Sequence, residues 1–275
     1  MPETALVLAA PPGSGPAGVP GELLGLSFLE RAVHTAAACG ARRVYILERG
    51  GEGPERPPWR RGPQSGAIAP VTTDPADREG LGALVASLEG PVLIVDERTV
   101  FSPLLVEEAS RAGVGGSEGA VFRGADGEAT GMGICPAGRV DDAVTAWMAA
   151  DGSLWDDGLA WAATVPVAGG FALPLLTAES HAAARRALLS SVRKESDDFV
   201  ARTFNRPLSL LMTRLFIPLG LTPNLISIAG LLIGIAGALF AAAGSHASVA
   251  LGGFLFQLSS VMDGSDGEVA RLTFN

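Results

Sequence analysis

The sequence predicts an α/β domain over residues 1–193, a juxtamembrane segment over 194–214, and the first two transmembrane helices of an all-α membrane bundle over 215–275. Three observations carry this division. Short apolar runs alternate with helical patterns through the first part. No Asp, Glu, Lys or Arg occurs from 215 to 262. The formal charge of −9 is also uneven, with −1 on residues 194–275 and −8 on residues 1–193. With 48% hydrophobic and 18% charged residues, the 275-residue chain is no disordered, collagen-like or disulfide-framework protein.

The elements follow in order. TALVLAA at 4–10 reads as a strand, PPGSGPAGVPG as a glycine loop, and SFLERAVHTAAACG as a helix with apolar residues at helical spacing. RRVYIL at 42–47 is a second strand, and the Gly/Pro/Arg-rich stretch 49–66 has too little apolar content to pack and reads as a mobile loop. A helix over 77–88 leads into GPVLIVDE at 90–97, an uninterrupted apolar strand of the kind buried on both faces in parallel sheets. Strands are expected at 119–123, 130–135 and 163–167, and helices at 138–149 and 177–193. That alternation implies three layers. Cys39 and Cys135 fall in helix-like and strand-like stretches and read as free buried thiols.

In 194–214, Phe199, Phe204, Leu208, Leu211 and Met212 are able to share one side, and Pro207 is expected to divide the segment into two short helices at the membrane surface. Residues 225–243 are nineteen uncharged positions, enough for about 30 Å of hydrocarbon at the helical rise. Residues 244–246 form a turn, and a second apolar helix runs over 247–262. Arg202, Arg206 and Arg214 precede the first span and place the N-terminal side in the cytoplasm of an integral membrane protein. Residues 1–10 have no basic n-region and too short an apolar run for a cleavable signal. Gly230, Gly234, Gly237 and Gly252 allow close helix packing. The acidic first part supplies no basic face for nucleic acid.

Chemistry concentrates in Val261-Met262-Asp263-Gly264-Ser265-Asp266-Gly267-Glu268-Val269-Ala270-Arg271. Two carboxylates three apart share one side of a helix, and hard divalent cations that bridge to phosphates take such oxygens. The same residues also read as an acidic helix end at headgroup level. Gly267 leaves room for a ligand against the backbone. His34, His181 and His246 are too scattered for a metal site or a triad, and Trp147, Trp155 and Trp161 read as core or a loop lid.

The pattern Asp-x-x-Asp-Gly-x-x-Ala-Arg after an apolar helix resembles the first half of the signature of CDP-alcohol phosphotransferases. Asp263, Asp266, Gly267, Ala270 and Arg271 carry it. Asn205-Arg206-Pro207-Leu208-Ser209 and Leu221-Thr222-Pro223-Asn224 resemble segments that precede the first membrane helix there, and the likeness extends over about 75 residues. It implies a six-helix membrane domain that works as a homodimer in a lipid bilayer. Four aspartates bind two Mg²⁺ or Mn²⁺ ions, an acceptor hydroxyl or phosphorylated polyol attacks a CDP-alcohol donor, and CMP leaves. Asp263 and Asp266 would then be metal ligands, Gly267, Ala270, Arg271 and Asn224 would meet the nucleotide, and Arg202 or Arg206 would meet acceptor phosphate. The family's signature continues with a glycine and two further aspartates, the last the proposed base, which do not occur before Asn275. The resemblance therefore implies a fragment of a longer protein, or a truncated product without phosphotransferase activity.

Residues 1–193 resemble nucleotidyltransferases of the sugar-nucleotide type, Rossmann-like and glycosyltransferase-A-like in fold. The likeness lies in Leu6-Val7-Leu8-Ala9-Ala10 with its glycine loop, Pro20-Gly21-Glu22-Leu23-Leu24, the helix 28–38 and the strand 92–96. In bifunctional members such a domain makes CDP-inositol and precedes a CDP-alcohol phosphotransferase, the order found here. The domain departs from that pattern: residues 11–19 carry no basic residue, position 21 is Gly, and Lys194 is the only lysine in the chain. Asp96, at the end of its strand, reads either as a metal ligand or as a loop or cap residue. Three readings result: a membrane transferase with a degenerate nucleotide-binding appendage, a bifunctional enzyme that also makes the CDP-polyol from CTP and a polyol phosphate, or a membrane-anchored non-catalytic binding protein.

Overall fold

The computed structural model describes residues 1–10, 21–48, 71–74, 77–113, 119–149, 154, 156, 159, 162–167, 170–192 and 205–274. The loop over 11–19, all of 49–66, Lys194, Trp155, Trp161, Phe199, Arg202 and Phe204 lie outside them. The strands are β1 (Thr4–Ala9), β2 (Glu22–Leu23), β3 (Leu26–Ser27), β4 (Arg43–Glu48), β5 (Val71–Thr73), β6 (Pro91–Asp96), β7 (Thr99–Phe101), β8 (Ala120–Arg123), β9 (Ala129–Pro136), β10 (Ala163–Pro166) and β11 (Ala172–Pro174). The helices are α1 (Phe28–Ala38), α2 (Arg78–Ser87), α3 (Pro103–Arg111), α4 (Val140–Ala149), α5 (Ala178–Ser191), α6 (Arg206–Phe216), α7 (Pro223–Ala242) and α8 (His246–Thr273). Two compact units result, Met1–Ala184 and Arg185–Asn275.

The first unit is mixed α/β. Its seven-stranded sheet has the order β10-β8-β9-β6-β1-β4-β5. β1 pairs in parallel with both β4 and β6, while β9 runs antiparallel to β6 and β8. Alternation along β1 divides the core. Ala5, Val7 and Ala9 join Val33 of α1 and Val106 of α3 on one side of the sheet, and Leu6 and Leu8 join Leu84 of α2 and Val144 and Trp147 of α4 on the other. The central sheet with helices on both faces is Rossmann-like, as the alternating pattern predicts.

Local chemistry explains the joints. Ser27 caps α1 by accepting Glu30 N–H at 3.2 Å while Glu30 accepts Ser27 N–H at 2.9 Å, a reciprocal capping box. The β2–β3 hairpin is tied back by buried Arg31, whose Nη2 donates to the Leu23 carbonyl at 2.7 Å, and burial brings that guanidinium down to about 10. Both cysteines are free and buried, and desolvation pushes each thiol up to about 12.

The described part of the second unit is helical. Pro207 occupies the first turn of α6, where a missing N–H costs nothing; of the two short helices expected over 194–214, this is the second, and the place of the first, 194–204, lies outside the described residues. Thr222 caps α7, with Pro223 opening it. Leu225, Ile228, Leu231, Leu232, Ile235 and Leu239 stand exposed along α7. Among the described residues, α7 is the one helix long and apolar enough to cross a bilayer.

The second expected span does not end near Met262. α8 runs unbroken for 28 residues to Thr273, so the signature lies inside a helix rather than at its end. A helix–helix seam joins α7 to α8 as the small residues predict. A Cβ on Gly252 would stand 2.7 Å from the Gly237 carbonyl oxygen, and Ser259 Oγ donates to the Gly230 carbonyl at 2.8 Å.

Candidate functional site

Asp263 and Asp266 lie one turn apart on α8. Asp263 is exposed and Asp266 half-buried. The Ser227 hydroxyl of α7 donates to Asp266 Oδ2, with the Pro223 carbonyl as a second acceptor 3.1 Å away. Asn224 is exposed in the first turn of α7, one turn before Ser227. The Ser227–Asp266 contact thus joins the beginning of α7 to the latter half of α8, with Asn224 and Asp263 each one turn away along its own helix; Ser227 is the one of these four that the sequence did not single out.

Gly267 is half-buried, and a Cβ there would meet only Arg271 Nη2, at 3.6 Å. The backbone beside Asp266 is therefore bounded by the flexible end of one cationic side chain. Arg271 is exposed and its Nη1 donates to the Val192 carbonyl at 2.9 Å, while Ala270 is half-buried beside it. Hard oxygen donors one turn apart, uncovered backbone and a nearby guanidinium suit a divalent cation carrying a phosphate ester. No cluster of three or more His, Cys, Asp or Glu occurs among the described residues, so these two carboxylates supply only part of a complete coordination shell.

Arg206, expected toward acceptor phosphate, has its guanidinium engaged elsewhere. Its Nη1 donates to Glu268 Oε1 at 2.8 Å. Glu268 is 1% exposed and also accepts Ser209 Oγ and Thr213 Oγ1, each at 2.8 Å. Sequence reasoning passed over this carboxylate. The signal was a charge at position 268 on a stripe with Val261, Ser265 and Leu272, all buried.

In the first unit, Asp96 is 1% exposed at the end of β6 and Arg98 holds it. Oδ1 accepts Arg98 N–H at 2.9 Å and Nε at 2.8 Å, and Oδ2 accepts Nη2 at 2.8 Å. A metal on Asp96 would have to displace the Arg98 guanidinium from both oxygens. Beyond it, Asp156 is fully buried and accepts Thr130 N–H at 3.1 Å and Gly131 N–H at 3.0 Å, with Arg123 Nη1 at 3.8 Å. Burial pushes its carboxyl up to about 6 against those three stabilising contacts.

No family model matches the chain. Among curated proteins it is similar to the bifunctional IPC transferase and DIPP synthase of Archaeoglobus fulgidus, 38% identical over 96 residues, which are 34% of this chain and 19% of that protein. The Aquifex aeolicus protein of the same name is 34% identical over 106 residues, 38% of this chain and 24% of that protein. The Thermococcus kodakarensis protein, also of that name, is 38% identical over 96 residues, 34% of this chain and 21% of that protein. The chain thus spans about a fifth to a quarter of the length of the curated relatives it matches. Similar solved structures include a 4-diphosphocytidyl-2C-methyl-D-erythritol synthase from Anaerococcus prevotii, at 12% identity and TM-score 0.40 over 67% of this chain and 95% of that one. HddC from Yersinia pseudotuberculosis gives 12% identity and TM-score 0.42 over 67% and 98%. The named relatives are transferases, and the chain shares a third or more of its residues with them over the matched segments.

Proposed function

We propose that α7 and α8 carry part of the active site of an integral membrane transferase that moves a phosphoalcohol group from a CDP-alcohol to an acceptor hydroxyl, releasing CMP. The observation that supports it most is the carboxylate pair on α8, with Asp266 tied to the start of α7 through Ser227, beside an exposed apolar helix. Asp263 and Asp266 would hold Mg²⁺ or Mn²⁺, which when bound neutralises diphosphate charge and polarises the phosphorus under attack. Ser227 orients Asp266, Gly267 lets the nucleotide approach the helix backbone, and Arg271 offers a cation to its phosphates. Asn224, exposed one turn before Ser227, faces the same nucleotide. The apolar helices rest in the bilayer, with the first unit on the cytoplasmic side.

Equilibrium binding of CDP-glycerol and CDP-inositol to the protein in lipid nanodiscs tests this. Binding should require Mg²⁺ and weaken at least tenfold in Asp263→Asn and in Asp266→Asn. Metal-independent binding, or equal affinity in all three proteins, would sink the reading.

A second reading is favoured by the bifunctional name of the relatives. The first unit would then make the CDP-polyol that the membrane helices consume. Pyrophosphate released from CTP and inositol phosphate by the same protein would establish it, and silence across a panel of polyol phosphates would leave the unit an appendage.

A further inference from the structure

The buried Glu268 has no part in the metal chemistry above, yet burying a carboxylate between α6 and α8 is costly unless its oxygens are filled. They are filled from one helix. Arg206, Ser209 and Thr213 stand at i, i+3 and i+7 on α6, a single stripe, and all three donate to Glu268 at 2.8 Å. Ser265 Oγ adds a bond to the Ser209 carbonyl at 3.2 Å. On an α-helix Asp266 points about 160–200° away from Glu268, and Asp263 about 140° away. The face of α8 opposite the α6 contact is therefore the one that meets Ser227 of α7.

We propose that Glu268 is a positioning residue whose carboxylate clamps α6 to α8 and so fixes the rotation of α8 that presents Asp263 and Asp266 together. This rests on the reading of those two aspartates as metal ligands. Apolar and glycine contacts along the seam resist separation, but they set rotation weakly. Directional bonds from three donors to two oxygens fix it. Arg206 accordingly serves α8 rather than an acceptor phosphate.

The test uses the full chain in nanodiscs, with amide hydrogen exchange across α6 and Mn²⁺ binding followed by electron paramagnetic resonance. Glu268→Gln should raise exchange in α6 at least tenfold while α7 stays protected, and should raise the half-saturating Mn²⁺ concentration at least tenfold. Thr213→Val, which keeps the ion pair and serves if Glu268→Gln does not fold, should shift both about threefold. Gly237→Ala loosens the seam away from the carboxylates and should leave Mn²⁺ binding within twofold. Unchanged α6 exchange in both variants overturns the clamp. Faster exchange with unchanged Mn²⁺ binding, or an equal Mn²⁺ shift in Gly237→Ala, overturns the positioning role. Mn²⁺ that binds the native chain no better than Asp263→Asn overturns the metal reading and the ligand half of this proposal, and the exchange data then decide the clamp by themselves.

Discussion

Arg98 closes on Asp96 through three hydrogen bonds, one from its backbone and two from its guanidinium, so that a carboxylate 1% exposed at the end of β6 is matched by a cation two residues on. Contact with that carboxylate holds the guanidinium above its usual value. Removing one partner of such a pair strands the other. Arg98→Met should destabilise the first unit by about 3 kcal/mol, and the double variant with Asp96→Asn should recover at least about 1 kcal/mol of that. Denaturant unfolding decides it, and a single-variant cost below about 1 kcal/mol would contradict the pairing.

Asp156 sets a pH dependence of opposite sign to that of an ordinary ion-paired carboxylate. Its folded value of about 6 lies above the ordinary carboxylate value, so the folded state holds the proton more tightly than the unfolded chain. The associated stability is fully present below about pH 4 and is lost as pH rises through about 6, a difference of about 2–3 kcal/mol. Asp156→Asn should flatten this component in urea titrations between about pH 4 and about pH 7. Parallel pH profiles for the two proteins would refute the assignment.

Neighbouring glycines on α8 should respond differently. A Cβ on Gly252 would meet Gly237 O at 2.7 Å, Ala241 N at 2.9 Å and Ala241 Cβ at 3.0 Å, whereas one on Gly253 meets nothing within 4 Å. Gly252→Ala should cost about 2 kcal/mol by forcing the helices apart, while Gly253→Ala should gain up to about 1 kcal/mol from helix propensity. Thermal unfolding in detergent compares them, and equal Tm shifts would show that the seam is not where these distances put it.

Much of this was legible in advance. Alternating apolar runs located β1, β4, β6, α1, α4 and α5, because buried parallel strands and amphipathic helices write their periods directly into sequence. β7, α3 and β11 were not read. Thr99-Val100-Phe101 and Ala172-Leu173-Pro174 are three-residue strands defined by pairing with each other, and Pro103 begins a helix directly after one of them. At the site, the spacing of Asp263 and Asp266 was visible as a one-turn pair. Ser227 and Glu268 were not, since each gains its meaning from a partner at least 39 residues away.

The unbroken course of α8 makes residue count act as an angle. Between Ser259, which fastens α8 to α7, and Asp263 there are only three residues, and no loop, bulge or proline intervenes to absorb a change in length. One residue inserted there would turn everything beyond it by about 100° relative to the seam. The stretch can therefore vary in composition while its length stays frozen, and deletion or insertion would redirect both aspartates without touching either of them.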